Sequence, residues 1–157
     1  MYKKAVTLIE LIITVAIIGI MTGVLLVSTS GSRTDKALEA AAREVAATIR
    51  EAQNYALTGK DAGAGCNSYV FAYTDATDSY SVNNSCNINN SYTLKNGIVF
   101  NSGVSGSFNF SAPYGAIGGL GVSPRIITLN KGGKNINVCV YSSGKVIETD
   151  IGAAGCP

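Results

Sequence analysis

The feature that most constrains this chain is a long apolar run near its N-terminus that holds one charge. Residues 6–27 read VTLIELIITVAIIGIMTGVLLV, and Glu10 is the single charged residue among them. As a helix with a rise of about 1.5 Å per residue, the run would be ~33 Å long, enough to cross the hydrocarbon core of a bilayer. An acid in that environment costs ~2.5–3.5 kcal/mol on insertion scales. We therefore expect Glu10 to meet a partner that supplies positive charge.

A short basic segment, MYKK, precedes the apolar run, as it does in an export signal. Lys3 and Lys4 should stay in the cytoplasm under the positive-inside rule, which sends the rest of the chain outward. The run is longer than the roughly 7–15 apolar residues of a cleaved secretory signal, and it continues into helical sequence. We therefore predict that it is retained as a single-pass segment in the inner, cytoplasmic membrane.

The charge balance and the missing residue types exclude several classes of function. Lys and Arg total 12 and Asp and Glu total 10, so without Lys3 and Lys4 the charges of the remaining chain balance. His is absent, which removes the commonest general base and the commonest metal ligand. No Gly-x-Ser-x-Gly nucleophile elbow occurs either. We predict no enzymatic activity, no cofactor and no metal. The acids in or near predicted turns, which we expect to be solvated rather than paired for acid–base work, are Asp75, Asp78, Glu148 and Asp150.

Four cysteines, Cys66, Cys86, Cys139 and Cys156, lie on the predicted exported side. An even number in an oxidising compartment predicts two disulfides, although four cysteines permit three pairings. Zinc binding is not favoured, because no two cysteines have the short spacing of a zinc site. Cys66 and Cys86 are equally far in sequence from Ala76, so a hairpin centred there would bring them face to face. This symmetry favours a Cys66–Cys86 bridge and leaves Cys139 to pair with Cys156.

Residues 28–58 predict a second, amphipathic helical stretch. A polar sequence, STSGSRTD, fills positions 28–35, and a single apolar stripe at helical spacing begins after it. Gly59 is a plausible C-cap. We expect the stripe to pack under a sheet rather than to form a coiled-coil seam, because it spans fewer than about three heptads. Its residues are Leu38, Ala41, Ala42, Val45, Ile49, Ala52 and Ala56.

Residues 59–157 predict a head of short strands and turns. Asn96-Gly97 is the dipeptide most suited to a type I′ turn, so it predicts a hairpin between strands 92–94 and 98–100. The Gly-rich segment 115–121 predicts a flexible surface loop, since it lacks the strand-then-helix context of a phosphate-binding loop. The full set of predicted strands is 69–73, 80–82, 92–94, 98–100, 107–111, 126–129, 136–141 and 145–149.

The N-terminal sequence KKAVTLIELIITVAIIGI resembles the class III leader and transmembrane helix of type IV pilins and type II secretion pseudopilins. The stretch Thr7-Leu8-Ile9-Glu10 matches the family pattern directly, whereas Ala5 and Val6 stand where the family usually has Gly and Phe. The resemblance implies that a prepilin peptidase cuts between Ala5 and Val6 and N-methylates Val6. Glu10 would then be the fifth mature residue, the position of the family's glutamate.

The same resemblance implies an assembly role for Glu10. The α-amino group created at Val6 of one subunit would neutralise Glu10 of a neighbour, so that each charge offsets the desolvation of the other. Members of the family often have a Pro late in the span, where this chain has Val27. Gly19 and Gly23 are instead the positions at which the helix would loosen during assembly, because Gly destabilises a helix interior by ~1 kcal/mol.

A looser resemblance covers much of the remaining chain. ALEAAAREVAATIREAQNYALTGK and INVCVYSSGKVIE are similar to the H-type pseudopilin and FimT-like minor pilin group, which places a β-sandwich on the helix. Minor pilins of this group can act as DNA receptors, and such a receptor needs a cluster of cations on its exposed tip. Scattered cations without interleaved aromatic residues do not favour nucleic acid as a partner. The available cations are Arg125, Lys131, Lys134 and Lys145.

Together these patterns predict an α+β fold, in which a long N-terminal helix packs on an antiparallel β-sheet or β-sandwich head. The predicted parts are the leader 1–5, the transmembrane helix and filament core 6–27, the amphipathic half 28–58, and the disulfide-tied head 59–157. The predicted function is that of a structural subunit of a type IV pilus-like filament, or fimbrium, which moves from the inner membrane to the cell surface. A type II secretion pseudopilin and a DNA-binding minor pilin are the alternatives. The implied partners are like subunits, prepilin peptidase, and an assembly ATPase with its platform protein.

Overall fold

A computed structural model describes residues 7–61, 65–84, 86–121 and 123–157, without the side chains of residues 24–30. The chain divides into two compact units, Met1–Thr34 and Asp35–Pro157. The described residues form one helix and nine strands. These elements are α1 (Leu8–Thr58), β1 (Ser68–Tyr73), β2 (Ser79–Asn84), β3 (Asn89–Thr93), β4 (Val99–Phe100), β5 (Gly106–Ser111), β6 (Ala116–Gly118), β7 (Arg125–Lys131), β8 (Lys134–Val140) and β9 (Val146–Glu148).

Helix α1 ends at the predicted glycine cap. Gly59 has a φ of 62°, in the left-handed region that favours glycine. The N–H of Lys60 donates to the carbonyl of Tyr55 at 3.1 Å, which is the 6→1 hydrogen bond of a Schellman motif. The predicted C-cap is therefore confirmed.

In the unit Asp35–Pro157, the apolar stripe of α1 forms the centre of the core. Its side chains belong to one buried cluster with the inner faces of both sheets. Alanines make up much of this stripe. The prediction that the stripe packs under a sheet is confirmed. Its residues, each between 0% and 6% exposed, are Leu38, Ala41, Ala42, Val45, Ala46, Ile49, Ala52 and Ala56.

The strands form two antiparallel sheets. One has five strands in the order β3-β2-β1-β5-β6, and the other has four in the order β4-β7-β8-β9. Alternate side chains of each strand point inward, as the period of two requires. Phe100 of β4 joins the sheets, with its ring 5.3 Å from that of Tyr73 and 5.9 Å from that of Tyr80. The predicted α+β class, a long helix packed on antiparallel sheets, is confirmed.

The turn at Asn96-Gly97 is present, but the hairpin predicted around it is wrong. Both residues have positive φ, 62° and 69°, and the N–H of Ile98 donates to the carbonyl of Lys95 at 3.3 Å. However, β3 pairs with β2 whereas β4 pairs with β7. The dipeptide determines only the local backbone conformation. The position of β4 depends instead on Phe100, which is fully buried in the core between the two sheets.

The Gly-rich segment 115–121 is not simply the flexible loop that was predicted, because Ala116–Gly118 forms β6 and pairs with β5. Asn109 of β5 explains why two positions of this segment are occupied by glycine. Its Oδ1 lies 2.9 Å from where a Cβ on Gly118 would be, and 3.5 Å from the corresponding position on Gly119. These glycines therefore permit close packing beside an amide side chain.

Candidate functional site

The described part of the N-terminal unit begins with a helix start built by Thr7 and Glu10. The carbonyl of Thr7 accepts the N–H of Glu10 at 3.1 Å and that of Leu11 at 3.3 Å, which makes Thr7 the N-cap residue. Thr at the N-cap with Glu three residues later is the capping-box pattern. The helix dipole also favours an acid in the first turn. This local role of Glu10 was not predicted, although the Thr-x-x-Glu spacing in the sequence is its signal.

The predicted processing residues, Ala5 and Val6, lie outside the described residues, as does the whole leader 1–5. The structure does describe the helix surface that follows these residues in the chain. From Leu8 to Met21 the large apolar side chains are 50–79% exposed. This surface surrounds the helix rather than forming one stripe, so it differs from the amphipathic pattern of the second half.

Within this surface the hydroxyl groups are satisfied locally. Thr14 donates to the carbonyl of Leu11 at 2.9 Å, and Thr22 donates to the carbonyl of Ile18 at 2.7 Å. Among the described residues, Glu10 forms no ion pair. The carboxylate of Glu10 is thus the charged group of segment 7–23 that still needs a cation.

Gly19 and Gly23, predicted as points where the helix loosens, both lie inside the helical span Leu8–Thr58. They are four residues apart and so share one side of the helix. Apart from the adjacent backbone of the helix itself, no described atom lies within 4 Å of the position where a Cβ would be at either residue. This leaves a smooth strip of backbone that another helix can approach closely.

Hydropathy gives a separate result for the predicted membrane span. Among the described residues, no helix is long and apolar enough to qualify as a membrane-spanning helix. Positions 24–27 of the predicted span lie outside that result, because their side chains are not described.

Two disulfides, Cys66–Cys86 and Cys139–Cys156, tie the unit Asp35–Pro157, and they are the pairs that the sequence favoured. Asn84 organises the first of them. Its Oδ1 accepts the N–H groups of Cys86, Asn87 and Ile88 at 3.1, 2.9 and 2.9 Å. This turn presents Cys86 to its partner at a Cα–Cα distance of 5.9 Å.

The four candidate DNA-contacting cations do not form one patch. Arg125 and Lys131 stand at opposite ends of β7, ~20 Å apart for a strand of this length. Lys131 pairs across the hairpin with Lys134, so that turn does bring two cations together. However, the Lys134 ammonium lies 2.6 Å from Asp35 of the helix.

The other two cations are also engaged within the head. Arg125 donates from Nη1 to the carbonyl of Leu120 at 3.1 Å. The Lys145 ammonium lies 5.9 Å from the centre of the Tyr141 ring. Three of the four cations, Arg125, Lys134 and Lys145, therefore contact other groups of the same chain.

Two of the acids in predicted turns, Asp75 and Glu148, accept hydrogen bonds from distant parts of the chain. Asp75 Oδ1 accepts the N–H of Ser102 at 2.7 Å and that of Gly103 at 3.2 Å. Glu148 accepts from Arg50 of the helix at 3.1 Å. Sequence spacing does not reveal either contact, because each joins residues that are far apart in the chain.

A group of tyrosines connects the helix to the five-stranded sheet. Tyr80 donates its hydroxyl proton to Glu44 at 3.2 Å, and burial raises the pKa of Tyr80 well above its usual range. Tyr55 donates to Glu51, and this hydrogen bond raises the pKa of Tyr55. Burial likewise raises the pKa of Tyr92. These hydroxyls stay protonated at neutral pH, so they serve as hydrogen-bond donors and not as bases.

Among the described residues, no three Cys, Asp or Glu side chains come together as metal ligands do. The N-terminal helix surface with Glu10 is therefore the arrangement with the clearest functional character. Its chemistry is that of association, since it offers apolar area and one charge that no described residue pairs with.

Comparison with known proteins agrees with this assignment at the N-terminus. Residues 1–26 match a protein family described as the prokaryotic N-terminal methylation motif. No curated protein and no solved structure matches the chain. Leaders of this kind are processed by prepilin peptidase, and the proteins that carry them are structural and assemble into filaments. The N-terminus of this chain is therefore a class III leader with the N-methylation motif of type IV pilins and pseudopilins.

Proposed function

We propose that the chain is a structural subunit of a type IV pilus-like extracellular filament. The leader 1–5 is removed between Ala5 and Val6, Val6 is N-methylated, and the exposed helix surface then polymerises. Segment 6–27 anchors the precursor in the inner membrane and later forms the filament core. The amphipathic half 28–58 carries the disulfide-tied head 59–157, which faces the outside of the cell.

The observation that carries this proposal is the position of Glu10 among exposed apolar side chains at the start of the helix, where it forms no ion pair with any described residue. Transfer of such a side chain into an apolar environment is unfavourable by ~2.5–3.5 kcal/mol. Cleavage before Val6 creates a positively charged amine. When the amine of one subunit reaches Glu10 of another, the two charges compensate, and this fixes the register between the helices.

The surface around Glu10 supports the same function. Apolar side chains on all sides of the segment allow contact with several neighbouring helices at once. Gly19 and Gly23 supply a strip where the backbones can approach, which favours close helix packing in an apolar environment.

The experiment that tests the role of Glu10 uses substitutions that separate charge from helix capping. Glu10→Gln keeps a capping-box residue but removes the charge. We expect this variant, like Glu10→Ala, to enter the membrane normally and to lower the yield of sheared surface filaments at least tenfold. Glu39→Gln is the matched control, since Glu39 is an exposed acid of the same helix in a surface pair with Arg43. Normal filament yield from Glu10→Gln would reduce the role of Glu10 to capping and would refute the proposed charge pairing.

Processing has its own measurement. Intact-mass analysis of sheared filaments should find this chain as an abundant component that begins at N-methylated Val6. A chain that begins at Met1 and is confined to the membrane would contradict the proposal. Recovery of processed chain only with a secretion complex would instead identify a pseudopilin.

The DNA-receptor alternative receives less support. Lys134 is ion-paired, Arg125 is bonded to a carbonyl, and the ends of β7 separate the cations. A receptor of this kind would bind DNA with a steep salt dependence, and its affinity would fall in Lys131→Ala and Lys134→Ala. We expect neither effect.

A further inference from the structure

Strand β3 is the outer strand of the five-stranded sheet, and among the described residues only β2 pairs with it. In the pairing of β2 with β3, the N–H of Asn84 donates to the carbonyl of Ile88, and the N–H of Leu94 donates to that of Asp78. Backbone groups of a strand point alternately to its two sides. The N–H and C=O groups of Asn90 and Tyr92 therefore face β2, and those of Asn89, Ser91 and Thr93 face away from it.

These outward groups are open. Asn89, Ser91 and Thr93 are exposed, and within the described parts of the chain no backbone group or side chain bonds to their main-chain atoms. Asn90 is also exposed although its side chain lies on the inner face of the sheet.

The other three sheet edges are closed or short. The free side of β4 is occupied, because the N–H of Phe100 donates to Thr77 and the carbonyl of Phe100 accepts from Ala76. Strands β6 and β9 have three residues each. In addition, β9 ends at Glu148, which is paired with Arg50. With five residues, β3 is the longest edge strand that the structure describes.

The sequence of β3, NNSYT, lacks the features that usually protect an edge. Natural edge strands carry Lys, Pro, a bulge or a covering segment, which prevent pairing with another chain. Here every side chain is neutral, so the strand meets no like charge when it pairs with a copy of itself. Centred on Ser91, antiparallel self-pairing would place Asn89 beside Thr93 of the other copy.

We propose that β3 pairs antiparallel with β3 of a second copy of this chain, about a twofold axis at Ser91. The pair would form roughly six backbone hydrogen bonds and join two five-stranded sheets into one. This contact does not involve the N-terminal helix, so it does not depend on the function proposed above.

Cysteine cross-linking of the full-length chain in detergent tests the register. Hydrogen-bonded antiparallel residues have Cα atoms about 5.5 Å apart, within the range of a disulfide. Both native cysteine pairs are already bridged, so an added thiol finds no native free thiol. Ser91→Cys should give a covalent dimer on a non-reducing gel, at least tenfold more than Ser81→Cys. Ser81 is the matched control, because it lies directly across from Ser91 on the neighbouring inner strand.

A second pair of variants separates this contact from chance encounters in a shared micelle. Asn89→Cys and Thr93→Cys chains should cross-link when mixed, and each should stay monomeric alone. If Ser91→Cys links no better than Ser81→Cys, the proposal is wrong. The proposal would also be overturned if Thr93→Cys chains alone gave as much covalent dimer as the mixture with Asn89→Cys chains. That result would exclude the register centred on Ser91.

Discussion

Removal of the Asp75 carboxylate should destabilise the head far more than removal of its neighbour Asp78. Asp75 lies in the turn between β1 and β2, and its carboxylate holds the backbone after β4 through Ser102 and Gly103. Asp78 belongs to the same turn, but its side chain accepts only the exposed hydroxyl of Ser79. The two acids therefore have the same charge and nearly the same location but very different contacts.

The expected magnitude follows from the two hydrogen bonds. A bond from a partly buried N–H to a charged acceptor contributes about 1.5–3 kcal/mol, and the 2.7 Å bond to Ser102 is of this type. The 3.2 Å bond to Gly103 is exposed, so we assign it about 0.5 kcal/mol. Asp75→Ala should then lower the free energy of unfolding by ~2–3.5 kcal/mol. At about 4 °C per kcal/mol for a unit of this size, the midpoint falls by ~10 °C.

Thermal unfolding of the full-length chain in detergent, followed by near-ultraviolet circular dichroism, measures this difference. Asp75→Asn keeps an acceptor oxygen without the charge, so it should lose about half as much stability as Asp75→Ala. Asp78→Ala should change the free energy of unfolding by less than about 0.5 kcal/mol. Equal losses from Asp75→Ala and Asp78→Ala would show that the carboxylate does not hold the two sheets together.

Two further substitutions test contacts of α1 with the sheets. Burial raises the pKa of Tyr80, so its stabilising effect should be present below pH ~10 and lost as pH rises, because the unfolded tyrosine ionises first. Urea unfolding between pH 8 and 11 should therefore show a decline that is smaller in Tyr80→Phe. Gly144 has a φ of 85°, and a Cβ there would lie 2.5 Å from Nε2 of Gln53. Gly144→Ala should lower the free energy of unfolding by ~2 kcal/mol, and Gln53→Ala in the same chain should restore only the part due to the clash.

Patterns that depend on nearby residues could be predicted from the sequence. The stripe from Leu38 to Ala56 follows from the helical period alone, and the cap at Gly59 follows from the need for a left-handed residue. The cysteine pairs were favoured by the symmetry of the chain about one turn. Each of these inferences needs only residues that are close in sequence or a single hairpin.

Contacts between distant segments could not be predicted in this way. Asn96-Gly97 makes the turn that its sequence favours, yet nothing local indicates that Phe100 belongs to the other sheet. Asp75 looked like a solvated turn residue because its partners, Ser102 and Gly103, come near only when both sheets are in place. The glycines at 118 and 119 looked flexible because Asn109, which requires their small size, is on another strand.

The helix start explains how one residue can serve two successive requirements in the proposed filament subunit. Before assembly, the first turn of α1 compensates the charge of Glu10 in part, since the helix N-terminus is positive and Thr7 provides the cap. The proposed cleavage before Val6 would leave Thr7 in place, so the cap would survive while a new amine appeared beside it. That amine would compensate Glu10 more fully only if it belonged to a neighbour in register. Capping is a property of the isolated chain and charge pairing is a property of the polymer, so Glu10→Gln should separate them.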